Sequence, residues 1–219
     1  MIADASAHRY TDAMRSLADV LYNFHWIVPA DAARSAQAHV GFLGPFLARH
    51  GIRSLVNLRG ANPKFGWWHY ERRITKERGL EHLDVMLDSR QLPRREMLVA
   101  LFDAFDRAPR PFLIKCSGGQ DRTSLAAALY LVHRGGWAAH EEALMQFARF
   151  PYLHFPKTHQ RWLRLFLDFA QEQAAGRPVA DWIRDSYDPI RLKTWLDSHG
   201  HAGTFRGIFE RQVASKWQW

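Results

Sequence analysis

The chain has 219 residues, 47% of them hydrophobic, which is enough to bury a sizeable core. Its lone cysteine excludes an internal disulfide and zinc–thiolate cages, and no run of roughly 18 apolar residues is present to span a membrane. The net charge of +8 suits an anionic partner, such as nucleic acid, an anionic membrane surface or an anionic substrate. The basic residues are spread along the chain, so a solvated surface of mixed charge is the plainer reading. Arginines outnumber lysines 24 to 6, which suits phosphate recognition by forked guanidinium groups.

The first residues, Met1 to Ser6, lack a basic start followed by an apolar block, so a cytoplasmic protein is expected. Residues 52–58 are β-branched and apolar, a predicted strand. Residues 65–78 mix Trp68 and Ile74 with charges and end at Gly79, a predicted helix. Residues 81–87 put Leu83, Val85 and Leu87 on one side, a second strand. Met97, Leu98, Leu101, Phe102 and Phe105 recur at helical spacing within 94–107, and Pro109 and Pro111 follow. A strand ending at Lys115 and a helix over 123–133 come next. After Gly135 and Gly136, residues 140–150 and 158–174 read as amphipathic helices, with Pro151 and Pro156 between them. Short helices carrying Trp182, Trp195, Trp217 and Trp219 follow. Of the 12 histidines only His199 and His201 sit close together, flanking Gly200 in a predicted turn, and they read as loop rather than metal ligands.

Strand–helix alternation of this length implies crossovers and an α/β fold with a mainly parallel central sheet flanked by helices. A helical C-terminal extension completes it. Residues 1–175 are expected to form the core, with 176–219 packed on it rather than forming a second domain, because no Ser/Gly-rich linker intervenes. Ligands of such sheets bind beyond the carboxyl ends of the strands. Asp88 and Cys116 each follow a strand, so they are expected on one edge.

Residues 112–124 carry the chemistry. Phe112-Leu113-Ile114-Lys115 is a buried strand, Cys116 ends it, and Ser117-Gly118-Gly119-Gln120 forms a tight loop before Asp121-Arg122-Thr123 and a helix. Loop N–H groups and a helix N-terminus converge on one place, and both favour an anion. A thiol in that field loses its proton readily, which makes a thiolate nucleophile inside a phosphate cradle. The two glycines let the backbone curl around the anion. The backbone of Ser117, Gly118, Gly119 and Gln120 is expected to bind the phosphoryl group, and Arg122 to grip two of its oxygens.

Cys116-Ser-Gly-Gly-Gln-Asp-Arg122-Thr123 resembles the Cys-x5-Arg-Ser/Thr loop of the protein tyrosine phosphatase superfamily. Asn23-Phe24, Arg34-Ser35-Ala36-Gln37, Val56-Asn57-Leu58-Arg59-Gly60 and Leu87-Asp88-Ser89-Arg90 are similar to its bacterial and fungal dual-specificity-like members. The resemblance implies a metal-independent, cofactor-free hydrolase that works through a phosphocysteine, with Thr123 easing the departure of the sulfur. It also implies a general acid. Asp88, in a position like the family's mobile-loop acid, is favoured; Asp121, inside the cradle as in some lipid-active relatives, is the alternative. Arg34, Asn57 and Arg59 match family positions and read as braces of the loops. Lys115 stands where the family usually has histidine.

The expected substrate is a phosphotyrosine-type phosphoprotein. A phosphoinositide is the next reading, suggested by Asp121 and the basic charge, although the loop holds no lysine between Cys116 and Arg122. An RNA 5′-phosphatase and a non-catalytic phosphate-binding module follow. Nucleic acid is not the expected partner, an anionic membrane surface stays open, and the oligomeric state is not addressed by the sequence.

Overall fold

The structure is a computed structural model that describes residues 16–38 and 41–210. The N-terminal residues and the tryptophans at 217 and 219 lie outside the described residues. Five strands, β1 (His25–Val28), β2 (Ala32–Ser35), β3 (Ser54–Asn57), β4 (Glu81–Asp84) and β5 (Phe112–Lys115), form one sheet in the spatial order β1-β2-β5-β3-β4. β2, β5, β3 and β4 are parallel, and β1 alone runs antiparallel, against β2. The mainly parallel α/β architecture is thus as expected.

Three predicted strands correspond to β3, β4 and β5. The helices predicted over 65–78, 94–107 and 123–133 are α3 (Gly66–Glu77), α4 (Arg95–Arg107) and α5 (Asp121–Gly135). α1 (Leu17–Leu21), α2 (Leu43–Arg49), β1 and β2 are not anticipated by the sequence patterns. β2 is Ala-Ala-Arg-Ser and is buried along its whole length. Two alanines have little strand propensity and a buried arginine breaks the hydrophobic alternation, so neither usual signal is present. The helix expected over 140–150 is shorter: α6 (His140–Met145) gives way to turns. The helix expected from 158 starts as a 3-10 turn (Thr158–Gln160), and α7 runs Trp162–Ala174.

Each face of the sheet is covered. Tyr22, Phe24, Phe46, Leu47, Leu55, Tyr70 and Leu113 make one apolar cluster under α1, α2 and α3. A larger one joins Ile114, Phe102, Phe105, Leu129, Trp162 and Phe166 from β5, α4, α5 and α7. α5 is buried continuously from Thr123 to Val132, as befits a helix packed against the sheet and roofed by others. Trp182, Ile183, Tyr187, Leu192 and Leu196 of α8 (Val179–Asp185), α9 (Pro189–Ser198) and their linker belong to the same cluster. Among the described residues no helix is long and apolar enough to cross a membrane.

Candidate active site

β5 is central, so its carboxyl end opens in the middle of the sheet edge. Side chains alternate across a strand, and accordingly Ile114 and Cys116 join the α5 cluster while Leu113 joins the α3 cluster. Cys116 and Asp88 do share one edge: both line a cleft of about 640 Å³. Ser117, Gly118, Gln120, Asp121 and Arg122 line it too, whereas Gly119 and Thr123 lie behind its wall.

The loop is held from outside by its carbonyls. Ser117 C=O accepts from the Gln37 N–H at 3.3 Å. Gly119 C=O accepts from Asn23 Nδ2 at 3.1 Å and from Arg34 Nη2 at 3.0 Å. With those oxygens engaged behind the loop, the Gln120 N–H reaches the Cys116 sulfur. Gly119 is needed there: its φ is +62°, and a Cβ would sit 2.4 Å from Ala36 N. Gly118 has no such reason, since a Cβ would meet nothing nearer than the Gln120 side chain at 3.7 Å. What it leaves open is the cleft.

Cys116 is 3% exposed. Burial pushes its thiol up, but the Arg122 guanidinium, the Thr123 hydroxyl and the Gln120 N–H together bring it below the ordinary thiol value, against the opposing charge of Asp121. The Thr123 hydroxyl is buried beside the sulfur and favours the thiolate. Arg122 Nη2 donates to Ser117 Oγ at 3.1 Å, which steadies the guanidinium over the loop.

Lys115 shares the other face of β5 with Leu113. Its ammonium lies 2.6 Å from Glu71 Oε2 and 4.7 Å from the centre of the Trp67 ring. It is therefore neutralised beside α3, and is not among the leading influences on the thiol.

Arg34 and Asn57 are braces in geometry. Arg34 is wholly buried and donates to Gln146, Gly119 and Ser124. Asn57 donates to Gly60 C=O and to Asp84, and accepts from the Arg59 N–H. Arg59 is more than a brace, because it lines the cleft. It lies 3.7 Å over Trp67 and donates to Gln37. Burial, with Arg122 nearby, pushes its guanidinium down to about 10.

The two carboxyls differ. Asp88 Oδ1 accepts the N–H groups of Arg90 at 2.7 Å and Gln91 at 3.0 Å. The loop it caps is pinned on both sides. Trp162 Nε1 and Gln160 Nε2 bond Ser89, and the backbone of Arg206, Gly207 and Phe209 pairs with Arg90 and Leu92. Asp121 opens α5, where a helix N-terminus favours the anion, yet burial holds its carboxyl above the ordinary range despite Arg122, Arg90, Gln160 and Lys157.

Sequence reasoning did not find Asn23 as a brace, Glu71, Trp67, His154, Lys157 or Gln160. They come from three segments, the turn before β1, α3 and the stretch between α6 and α7, with no spacing that links them to Cys116. Trp67, Lys157 and Gln160 line the cleft.

A thiol at a strand end, with a backbone N–H and an arginine of the following loop beside it, is the arrangement of the cysteine-dependent phosphatases. The family model described as "Swiss Army Knife protein, DSP-PTPase phosphatase domain" (PTP-SAK) matches residues 21–176, and the chain belongs to this dual-specificity-like family of the protein tyrosine phosphatase superfamily. No curated protein matches it significantly. Tk-PTP in its active form is 20% identical, with a TM-score of 0.51 over 67% of this chain and 96% of that one. The core catalytic domain of the PP-IP phosphatase SIW14 from S. cerevisiae, in complex with citrate, is 16% identical, with a TM-score of 0.51 over 82% of this chain and 93% of that one. These two likenesses concern the fold.

Proposed function

We propose that the protein hydrolyses phosphomonoesters of the phosphotyrosine type through a phosphocysteine intermediate. The observation that carries this reading is the Cys116 thiol, lowered by Arg122 and Thr123, at the foot of a cleft lined by loop 117–122. In the first step the thiolate attacks phosphorus, an S–P bond forms and the P–O bond to the leaving group breaks. The leaving oxygen takes a proton from a carboxylic acid on the cleft wall, Asp88 or Asp121. Loop N–H groups and the Arg122 fork hold the phosphoryl oxygens. In the second step water attacks phosphorus and gives a proton to the same carboxylate. The S–P bond breaks, and Thr123 donates to the departing sulfur. Tyr22, Trp67, Tyr70 and Phe155 on the cleft wall suit an aromatic phosphate ester.

A second reading is a substrate with several phosphates, such as a phosphoinositide. It is favoured by Arg90 and Lys157, which line the cleft and act electrostatically on Asp121. The lysine missing from the loop thus has a counterpart from another segment. The extension from residue 176 is, in this reading, part of the same catalytic unit, since it shares the core and pins the Asp88 loop.

The test is Cys116→Ser against the native protein on phosphopeptides, phosphoinositides and 5′-phosphorylated RNA at fixed ionic strength. Turnover is expected to vanish in the variant while phosphate binding persists, with phosphotyrosine peptides the preferred substrates. A substantial rate in the serine variant would refute the phosphocysteine. A preference for phosphoinositides would establish the second reading, and salt-steep RNA turnover would displace both.

A further inference from the structure

Two residues from the segment between α6 and α7 face the Asp121 carboxyl, and one of them bonds it. Gln160 Nε2 donates to its Oδ2 at 2.7 Å. His154 Nε2 faces its Oδ1 at 3.6 Å, just beyond the usual limit of about 3.2 Å. The imidazole is oriented from behind: its Nδ1 lies 3.1 Å from Phe147 C=O. A carbonyl only accepts, so Nδ1 carries the hydrogen and Nε2 of the neutral ring is a bare lone pair. That atom is buried and has no bonded partner. A lone pair facing a carboxylate oxygen is repulsive, whereas facing a carboxylic acid it accepts a hydrogen bond.

We propose that His154 and Gln160 are positioning residues for Asp121, Gln160 fixing one carboxyl oxygen and His154 favouring the carboxylic acid at the other, and that Asp121 delivers the leaving-group proton. The proposal rests on the phosphatase reading above. Asp88 is the poorer candidate on geometry: its Oδ1 already accepts two N–H groups, in a loop pinned on both sides.

The surroundings of Asp121 agree. Arg122 on α5, Arg90 after β4, and Lys157 and Gln160 before α7 all favour the carboxylate, while burial outweighs them. Burial, aided by Arg34, pushes His154 down to about 4, so the ring is neutral wherever the enzyme would work. The proton balance closes. Asp121 gives its proton to the leaving oxygen, becomes a carboxylate against the His154 lone pair, and is reprotonated by the attacking water.

The experiment measures kcat/KM across aryl and alkyl phosphates of rising leaving-group pKa for the native enzyme, Asp121→Asn, Asp88→Asn, His154→Ala, Gln160→Leu and the Asp121→Asn/His154→Ala double variant. A general acid is worth about 10²–10⁴-fold, felt mainly by poor leaving groups. Asp121→Asn is expected to lose roughly 10²-fold on alkyl esters and little on esters of acidic phenols. His154→Ala and Gln160→Leu should lose about tenfold with the same leaving-group dependence, a fraction of the general-acid effect. The basic limb of the pH profile should move to lower pH in His154→Ala, because Asp121 gives up its proton sooner, and to higher pH in Gln160→Leu, which removes a donor to the carboxylate. In the double variant the histidine change should add no further leaving-group dependence.

Separately, the Asp121 side-chain carboxyl, followed by carbon-13 NMR, should titrate at lower pH in His154→Ala than in the native protein. An unchanged titration, or a uniform loss on all substrates, overturns the role of His154. A leaving-group dependence confined to Asp88→Asn overturns Asp121 as the acid. A native protein that hydrolyses no phosphomonoester defeats the functional reading itself, and the acid with it, whatever the titration shows.

Discussion

The ammonium of Lys115 lies 2.6 Å from Glu71 Oε2, with the two side chains 2% and 1% exposed, one residue before the nucleophile and on the opposite face of β5. Burial pushes the lysine down to about 8 and the glutamate up, and each is the main force holding the other charged.

Breaking half of this pair leaves an uncompensated buried charge. Lys115→Met and Glu71→Gln are each expected to lower the unfolding free energy by about 3–5 kcal/mol, while the double Lys115→Met/Glu71→Leu variant stays near the native value. Urea denaturation of the three variants measures this. Single variants within about 1 kcal/mol of native would mean that the pair is solvated like a surface one.

The two loop glycines should respond differently. Gly119→Ala forces a Cβ against Ala36 N at a φ of +62°, and is expected to cost at least about 1–3 kcal/mol. Gly118→Ala meets only Gln120 at 3.7 Å, so its melting temperature should match the native one while its affinity for phosphate or vanadate falls. Calorimetric melting and titration together separate the two effects. Equal melting temperatures for both variants would refute the steric account.

Because Arg122 and Thr123 favour the thiolate, Cys116 should stay ionised at a pH where an ordinary thiol is protonated. The rate of iodoacetamide alkylation against pH reports this directly. Arg122→Ala and Thr123→Val should each displace the midpoint to higher pH, the arginine change further. Should the midpoint hold still in both, the cradle is not what ionises the sulfur.

His82 is held down to about 4, chiefly by burial, with Lys115 and Arg72 adding to it and Asp84 opposing. Its ring nitrogens are buried and have no hydrogen-bond partner. Between pH 4 and 6.5 the unfolded chain therefore binds a proton at this site that the folded chain refuses. Stability should rise with pH through that window, and acidification should lose on the order of 2–3 kcal/mol from this group. His82→Phe should flatten that part of the curve of melting temperature against pH. An unaltered slope would show that other groups govern it.

Much of the site is local in the chain, which is why its residues can be picked out from the sequence alone. Cys116, Ser117, Gly118, Gln120, Asp121 and Arg122 are consecutive or nearly so, and a strand followed by two glycines and a helix start leaves the backbone few ways to turn. Asp88 falls on the same edge because parallel strands put their carboxyl ends together. β3, β4, β5, α3, α4 and α5 carry their own hydrophobic periods. β1 and β2 do not: β2 is held by its neighbours and by the bonds of a buried arginine, which no period of apolar residues encodes.

Other features are decided only in three dimensions. Whether Gly119 or Gly118 faces the anion depends on Ala36, which is distant in sequence and adjacent in space. Lys115 reads like a cation beside the thiol, but the strand's alternation turns it towards Glu71 on α3. The contrast between Asp88 and Asp121 likewise comes from partners far along the chain: the 206–209 segment pins the loop of one, and His154 and Gln160 surround the other. Motif spacing determines which groups can react. Long-range packing sets their burial and hydrogen bonds, and through these their charge, because desolvation and neighbouring dipoles act through space rather than along the sequence.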